Sequence, residues 1–326
     1  MPTNPLRRAP LAPTAPLAGL AAALLLAPPA LAQGDTDELT PPPDRPWSFT
    51  LTPRGVHYFT SDLDDDSAAG MGDVSVSRFG LLPVLQIPVG EASSLTFNGE
   101  FTYSFYNFDG SGIFDDSLEL LEDAYEAGLG ATWSSRINDD WLYSVGGGLR
   151  ISAEAGADVD DAVTGRFFGT INYRVSETFV IGGGVGVSTE LDDDVLVVPI
   201  ISAFYQPNEK VVFAAGGGPA AAGRTLGATI TWWFQPDVAV SFTGAWDYRQ
   251  FRLDDDGPIP DGITTDQRVD LLLGLDWGIT ESVTFRLEAG ATVWQEYEFI
   301  DADDDHLYDV QTDPTAFIGG GITFEF

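Results

Sequence analysis

From Trp47 onward, apolar residues recur at every second position in successive runs, and acidic or Gly/Pro-rich stretches separate the runs. A period of two is the signature of a strand whose two faces meet different surroundings. The clearest run sets Leu95, Phe97, Gly99, Phe101, Tyr103 and Phe105 against Thr96, Asn98, Glu100, Thr102, Ser104 and Tyr106. The last run sets Phe326, Phe324, Ile322, Gly320, Ile318 and Ala316 against Glu325, Thr323, Gly321 and Gly319, with Phe317 the one large apolar residue on the polar side. Between these ends the pattern predicts strands near Trp47–Phe59, Val74–Val89, Leu120–Ser134 and Trp141–Ser152, and then around Phe167–Arg174, Phe179–Val187 and Val195–Tyr205. Further strands are expected near Val238–Phe251, Arg268–Gly278 and Val283–Phe299. A hairpin of Lys210–Gly217 and Thr225–Phe234 brings the total to about 14, the even number that a single-chain membrane barrel requires; without that hairpin the total is about 12.

The connections sort by parity. Gly90-Glu91-Ala92, Ile137-Asn138-Asp139, Ser176-Glu177-Thr178, Pro207-Asn208-Glu209, Gln235-Pro236-Asp237 and Thr280-Glu281-Ser282 are short, and the intervening loops are mostly long and rich in Asp. A β-sandwich has no reason to sort its loops in this way. A transmembrane barrel does, with short periplasmic turns and long outer loops. Trp47, Trp133, Trp141, Trp232 and Trp277 all fall beside the short turns, as an aromatic girdle at one lipid interface would. The expected fold is all-β: a transmembrane, antiparallel, up-and-down barrel over residues 47–326, with Asp301–Asp313 as the last outer loop.

The chain before the barrel reads as two segments. Residues 1–32 have Arg7 and Arg8, an apolar Leu17–Ala27 core and the small-x-small site Ala30-Leu31-Ala32, which together make a secretory signal peptide. Residues 33–46, with Pro41-Pro42-Pro43, form a short periplasmic lead-in. No later segment has the run of apolar residues that a membrane helix needs. The absence of cysteine excludes disulfides and thiolate sites, and a formal charge of -35 argues against nucleic acid as a partner.

The final strand, ending on Phe326 with Phe324 and Ile322 at alternate positions, resembles the terminal signal strand of bacterial outer-membrane β-barrels. The resemblance implies residence in the outer membrane, assembly by the barrel-assembly machinery and contact with outer-membrane lipid. Phe251-Arg-Leu-Asp-Asp-Asp-Gly257 with Pro260-Asp-Gly262, and Asp313-Pro-Thr-Ala-Phe317, resemble stretches of an uncharacterised outer-membrane barrel family that implies no activity. His57, His306 with Asp304, and Asp64 with Asp66 share residue types with the outer rim of the omptin proteases, but they share no motif. Abundant loop aspartates make such pairings expected by chance, and no enzyme is expected.

Charged residues on the polar faces are the candidate lumen lining: Glu100, Glu126, Arg150, Arg166, Arg174, Asp270, Arg286 and Glu288, with Arg54, Glu122, Asp247, Arg249 and Asp276. Both signs occur, so ion pairs that brace the wall and a pore that sorts solutes are both open readings. Gly146-Gly-Gly148 and Gly182-Gly-Gly-Val-Gly186 lie inside strands and open no helix, so they are expected to allow close packing rather than to hold phosphate. A barrel of this size exceeds the width that side chains just fill. The expected function is a porin-like channel for small solutes with a modest cation preference, since more than half of the 50 acidic residues fall in the outer loops. The alternative is a non-conducting surface barrel that acts through those loops. No cofactor is expected beyond Ca2+ or Mg2+ at alternating loop carboxylates, Asp301, Asp303 and Asp305 or Asp62, Asp64 and Asp66.

Overall fold

The computed structural model describes residues 47–63, 71–115, 118, 120–192, 195–216 and 225–326. The expected leader and lead-in, with Asp64, Asp66 and residues 217–224, lie outside these. In chain order the strands are β1 Ser48–Asp62, β2 Gly72–Pro88, β3 Ser93–Gly110, β4 Asp123–Arg136, β5 Trp141–Glu154, β6 Val163–Ser176, β7 Phe179–Thr189, β8 Val195–Asn208, β9 Val211–Gly216, β10 Thr225–Gln235, β11 Val238–Arg252, β12 Ile263–Thr280, β13 Val283–Ile300, β14 His306–Gln311 and β15 Thr315–Glu325. Each of β1 to β13 pairs antiparallel with its sequence neighbour, β13 pairs with β15, and β15 closes on β1. The result is a closed, up-and-down barrel of 14 strands, so the short β9–β10 hairpin does belong to the wall. The closing seam includes Phe326, whose N–H donates to the Phe49 carbonyl at 2.9 Å. Closure leaves no free sheet edge to pair with another chain.

β14 corrects the expectation of an open loop at Asp301–Asp313. His306–Gln311 pairs with the outer end of β13, while β15 pairs with its lower part. The terminal strand therefore runs in two pieces interrupted at residues 312–314.

Side-chain alternation explains the closure. Phe79, Phe97, Phe101, Leu129, Leu149, Phe167, Val197, Ile201, Leu273 and Ile318 point outward and are exposed. This outer apolar surface would be untenable in water and suits a lipid bilayer. Trp47, Trp141, Trp232 and Trp277 stand exposed at the short-turn end, and the Trp141 and Tyr173 rings lie 4.6 Å apart. Trp246 and Tyr248 mark the other margin, with ring centroids 5.8 Å apart. From Val238 to Trp246 the strand rises about 27 Å, the scale of a tilted membrane-spanning strand. Glycines bring the wall together where bulk is impossible. A Cβ on Gly146 would lie 2.6 Å from the Phe168 ring, and one on Gly182 would lie 2.0 Å from Asn172 Oδ1.

Candidate functional site: the barrel lumen

The inner face is built in three levels. At the level of Arg54 the lumen is reached by solvent: Arg54 is exposed, and the side chains of Arg286 and Glu288 are 20% and 25% accessible. Arg286 pairs with Asp276 at 3.2 Å and with Glu288 at 3.3 Å. These positions face inward because β13 and β15 send their apolar alternates, such as Leu287 and Ile318, to the outside.

Above them a belt of ion pairs crosses the barrel. Arg150 on β5 reaches Glu100 on β3 at 3.2 Å and Glu126 on β4 at 3.1 Å. Glu126, fully buried, also pairs with Arg249 on β11, the strand opposite β4 around the wall. Arg249 donates to Asp247 at 2.8 Å, and Asp247 accepts from Arg268 at 3.1 Å. Arg268 lies 3.3 Å from Asp270, and its guanidinium sits 4.1 Å from the Tyr58 ring centroid. Arg78 pairs with Asp266, and Tyr106 donates to the same carboxylate at 2.8 Å. Thr292 donates to Asp270 at 2.7 Å. With Arg78 also 3.9 Å from Asp247, four arginines and five carboxyl groups form one connected chain.

The third level is apolar. Tyr58, Val74, Val76, Tyr106, Phe108, Phe251, Tyr297, Phe299, Val310 and Phe317 line the wall inward. Residues from the long loops fill the space between them: Leu63, Phe114, Leu120, Leu121, Leu253 and Ile259. Phe114 stacks on Phe108 at 5.3 Å, and Tyr58 meets Phe317 at 5.0 Å. Leu121 holds φ 50 while fully buried, a backbone state uncommon for a bulky residue and one that needs the surrounding packing to persist.

Two side chains tie these loops down. Arg252 donates from Nε to the Asp161 carbonyl at 3.3 Å, from Nη1 to Asp261 at 2.9 Å and from Nη2 to Leu191 at 2.8 Å. One guanidinium thereby joins the β5–β6, β7–β8 and β11–β12 loops. Glu154 accepts from the backbone N–H of Glu122 at 3.2 Å and of Asp254 at 3.0 Å, which joins the β3–β4 and β11–β12 loops. At the same level β5 and β11 touch across the barrel, where Ala153 bridges Arg252 and Ser152 Oγ donates to the Gln250 carbonyl.

All eight expected lining residues occupy inward positions, but they do not form one group. Glu100, Glu126, Arg150 and Asp270 belong to the belt. Arg286 and Glu288 form the lower pair, while Arg166 and Arg174 stand half-buried on β6. Sequence reasoning missed Arg78, Asp266 and Arg268 and the whole apolar level. Its one visible signal was Phe317, the exception on the polar face of the last strand.

Among the described residues, Asp301, Asp303 and Asp305 are not brought together as a ligand group. Asp301 Oδ1 accepts the N–H groups of Asp303 and Asp305, each at 3.0 Å, which closes the β13–β14 turn. His306 pairs with Asp309 at 2.9 Å rather than with Asp304. Hydrogen bonding to Asp309 raises the His306 pKa above the usual imidazole value. His57 lies on the outer face of β1 and bonds Ser77 Oγ at 2.9 Å.

A closed antiparallel wall with an outward apolar band, aromatic margins and an ionised interior defines a transmembrane β-barrel of the outer membrane. No protein-family model and no curated protein sequence matches the chain, so no matching family model backs the likeness of its last third to an uncharacterised family. Among solved structures it is similar to the toluene transporter TodX of P. putida, at 9% identity and TM-score 0.45 over 93% of each chain. It is similar also to an outer membrane channel of Pseudomonas putida F1, at 11% identity and TM-score 0.44, over 88% of this chain and 100% of that one. The NanC porin aligns at 8% identity and TM-score 0.33, over 84% of this chain and 98% of that one. The assignment of the class rests on the strand pairing above, not on these likenesses.

Proposed function

We propose that this protein is an outer-membrane channel for small solutes whose outer mouth is held shut by its own loops until they lift. The ion-pair belt is the observation that carries this reading. Burying ion pairs stabilises a fold no better than well-packed apolar residues of similar volume, so a braced wall has no need of nine charged groups. A solute path does need a wall that wets when the loops above it move. Within the apolar level above the belt, the β3–β4 and β11–β12 loops that supply Phe114, Leu120, Leu121, Leu253 and Ile259 are tied by Glu154 and Arg252, and they can leave without breaking the strand ladder.

The finer reading is a modest cation preference. The long loops carry aspartates around the mouth, with a reach of about 8 to 10 Å at ordinary ionic strength. In this reading the long loops face outward, residues 1–32 direct export, and Phe326, Phe324 and Ile322 are the signal read by the assembly machinery. A second reading, a non-conducting surface barrel that acts through its acidic loops, is favoured by the same latched mouth.

Planar-bilayer recording across a salt gradient separates them. The channel reading expects brief openings from the intact chain, with a reversal potential on the cation side that shrinks as salt rises. Anion preference removes the charge argument. Silence from both the intact chain and an Arg252→Ala variant removes the channel and leaves the surface barrel.

A further inference from the structure

Glu298 on β13 and Asp309 on β14 are direct register partners. Like charges set opposite each other across two strands repel, yet the backbone fixes them there. The turn beyond them is closed by its own bonds, with the Asp304 N–H donating to the Asp301 carbonyl and the Asp301 N–H to the Asp305 carbonyl, each at 3.1 Å. His306 is drawn into the same group, its Nε2 lying 2.9 Å from Asp309 Oδ1 and 3.9 Å from Glu298 Oε1. One ligand atom from each of the three residues lies within 4.8 Å of the others. A single imidazole thus faces two carboxylates, and Glu296, whose side chain accepts from Gln267 and Gln311, stands on the same face.

We propose that Glu298, His306 and Asp309 form a surface site for a divalent transition ion of the Zn2+ class. Ligand atoms about 2.0 to 2.2 Å from a tetrahedral Zn2+ stand roughly 3.3 Å apart, and the separations of 2.9 and 3.9 Å bracket that value. Side chains exposed at this level reach it by small rotations. A nitrogen ligand among three selects zinc-like ions over Ca2+ and Mg2+, which take oxygen alone. The three residues leave a fourth position for water, as at open zinc sites. Two positive charges placed between Glu298 and Asp309 remove their repulsion and pin the two strands of the outer hairpin together. The site lies outside the lumen and does not depend on whether the barrel conducts.

Calorimetric titration of the folded, detergent-solubilised full chain with ZnCl2 tests the site. One equivalent is expected to bind. Either His306→Ala or Glu298→Gln should weaken it at least tenfold, while His57→Ala and millimolar CaCl2 should leave it unchanged. The heat-modified gel shift of each variant reports that the barrel is folded. The proposal is overturned if wild type gives no zinc heat, if His306→Ala binds as wild type does, or if calcium displaces the ion, since the last two outcomes mean diffuse binding by the acidic loops.

Discussion

Glu126 is fully buried between two guanidiniums, those of Arg150 and Arg249. Replacing it with Gln keeps the shape and removes the charge that both arginines face. Removing one partner from a buried ion pair destabilises by about 3–5 kcal/mol because the other charge stays behind. Denaturant unfolding of Glu126→Gln in micelles should show a loss of that order, and an unchanged midpoint would mean that water, not Glu126, satisfies the arginines. Phe317 and Ile318 give a second contrast between adjacent residues. Phe317 is 3% exposed within the apolar level, and Ile318 is 48% exposed on the outer face. Phe317→Ala leaves a cavity and should destabilise by about 3–5 kcal/mol, while Ile318→Ala should have a much smaller effect. Equal effects would contradict the assignment of faces.

At the scale of the strand, β13 carries an irregularity that decides what faces inward. Val269 pairs with Trp294 but Asp270 pairs with Thr292, so Val293 is an extra residue in the ladder. Below it Arg286, Glu288 and Thr292 point inward; above it Gln295, Tyr297 and Phe299 do. A bulge of this kind flips every following side chain relative to an unbroken strand. Deleting Val293 should give an unbroken ladder in which Gln295, Tyr297 and Phe299 still point inward, so the heat-modifiable folded form should persist; its loss would show that the bulge itself is needed for the outer end of β13 to pack. The sequence could not reveal this, because apolar residues keep to odd positions on both sides of the bulge, from Phe285 and Leu287 to Tyr297 and Phe299, while the face they occupy changes. By contrast β3 was legible on both faces, since Leu95 to Phe105 alternate without interruption. β14 was hidden because its alternation covers only His306–Gln311 and sits among aspartates that read as a solvated loop. The latch at Arg252 was invisible for another reason: its three acceptors are backbone carbonyls, which every residue has.

For the whole molecule, the same wall carries an outer surface for lipid, an ionised interior and, among the described residues, an apolar filling near its long-loop end. The connections sort by length to the two ends as the chain pattern implied, and the 14-strand closure follows from it. What the pattern did not convey is that the interior is filled over part of its height, because the filling residues come from loops between strands and the ion pairs join strands far apart in sequence. Arg252 ties the β11–β12 loop, which supplies Leu253 and Ile259 to that filling, to the β5–β6 and β7–β8 loops, and none of the barrel ladder depends on its side chain, so Arg252→Ala should loosen the mouth and leave the fold intact. Uptake of a small labelled cationic solute into proteoliposomes measures this directly. The account predicts slow uptake by the wild-type protein and a rise of at least fivefold in Arg252→Ala, with both forms equally heat-modifiable. Uptake by a folded Arg252→Ala barrel that is no faster than in protein-free vesicles would contradict it.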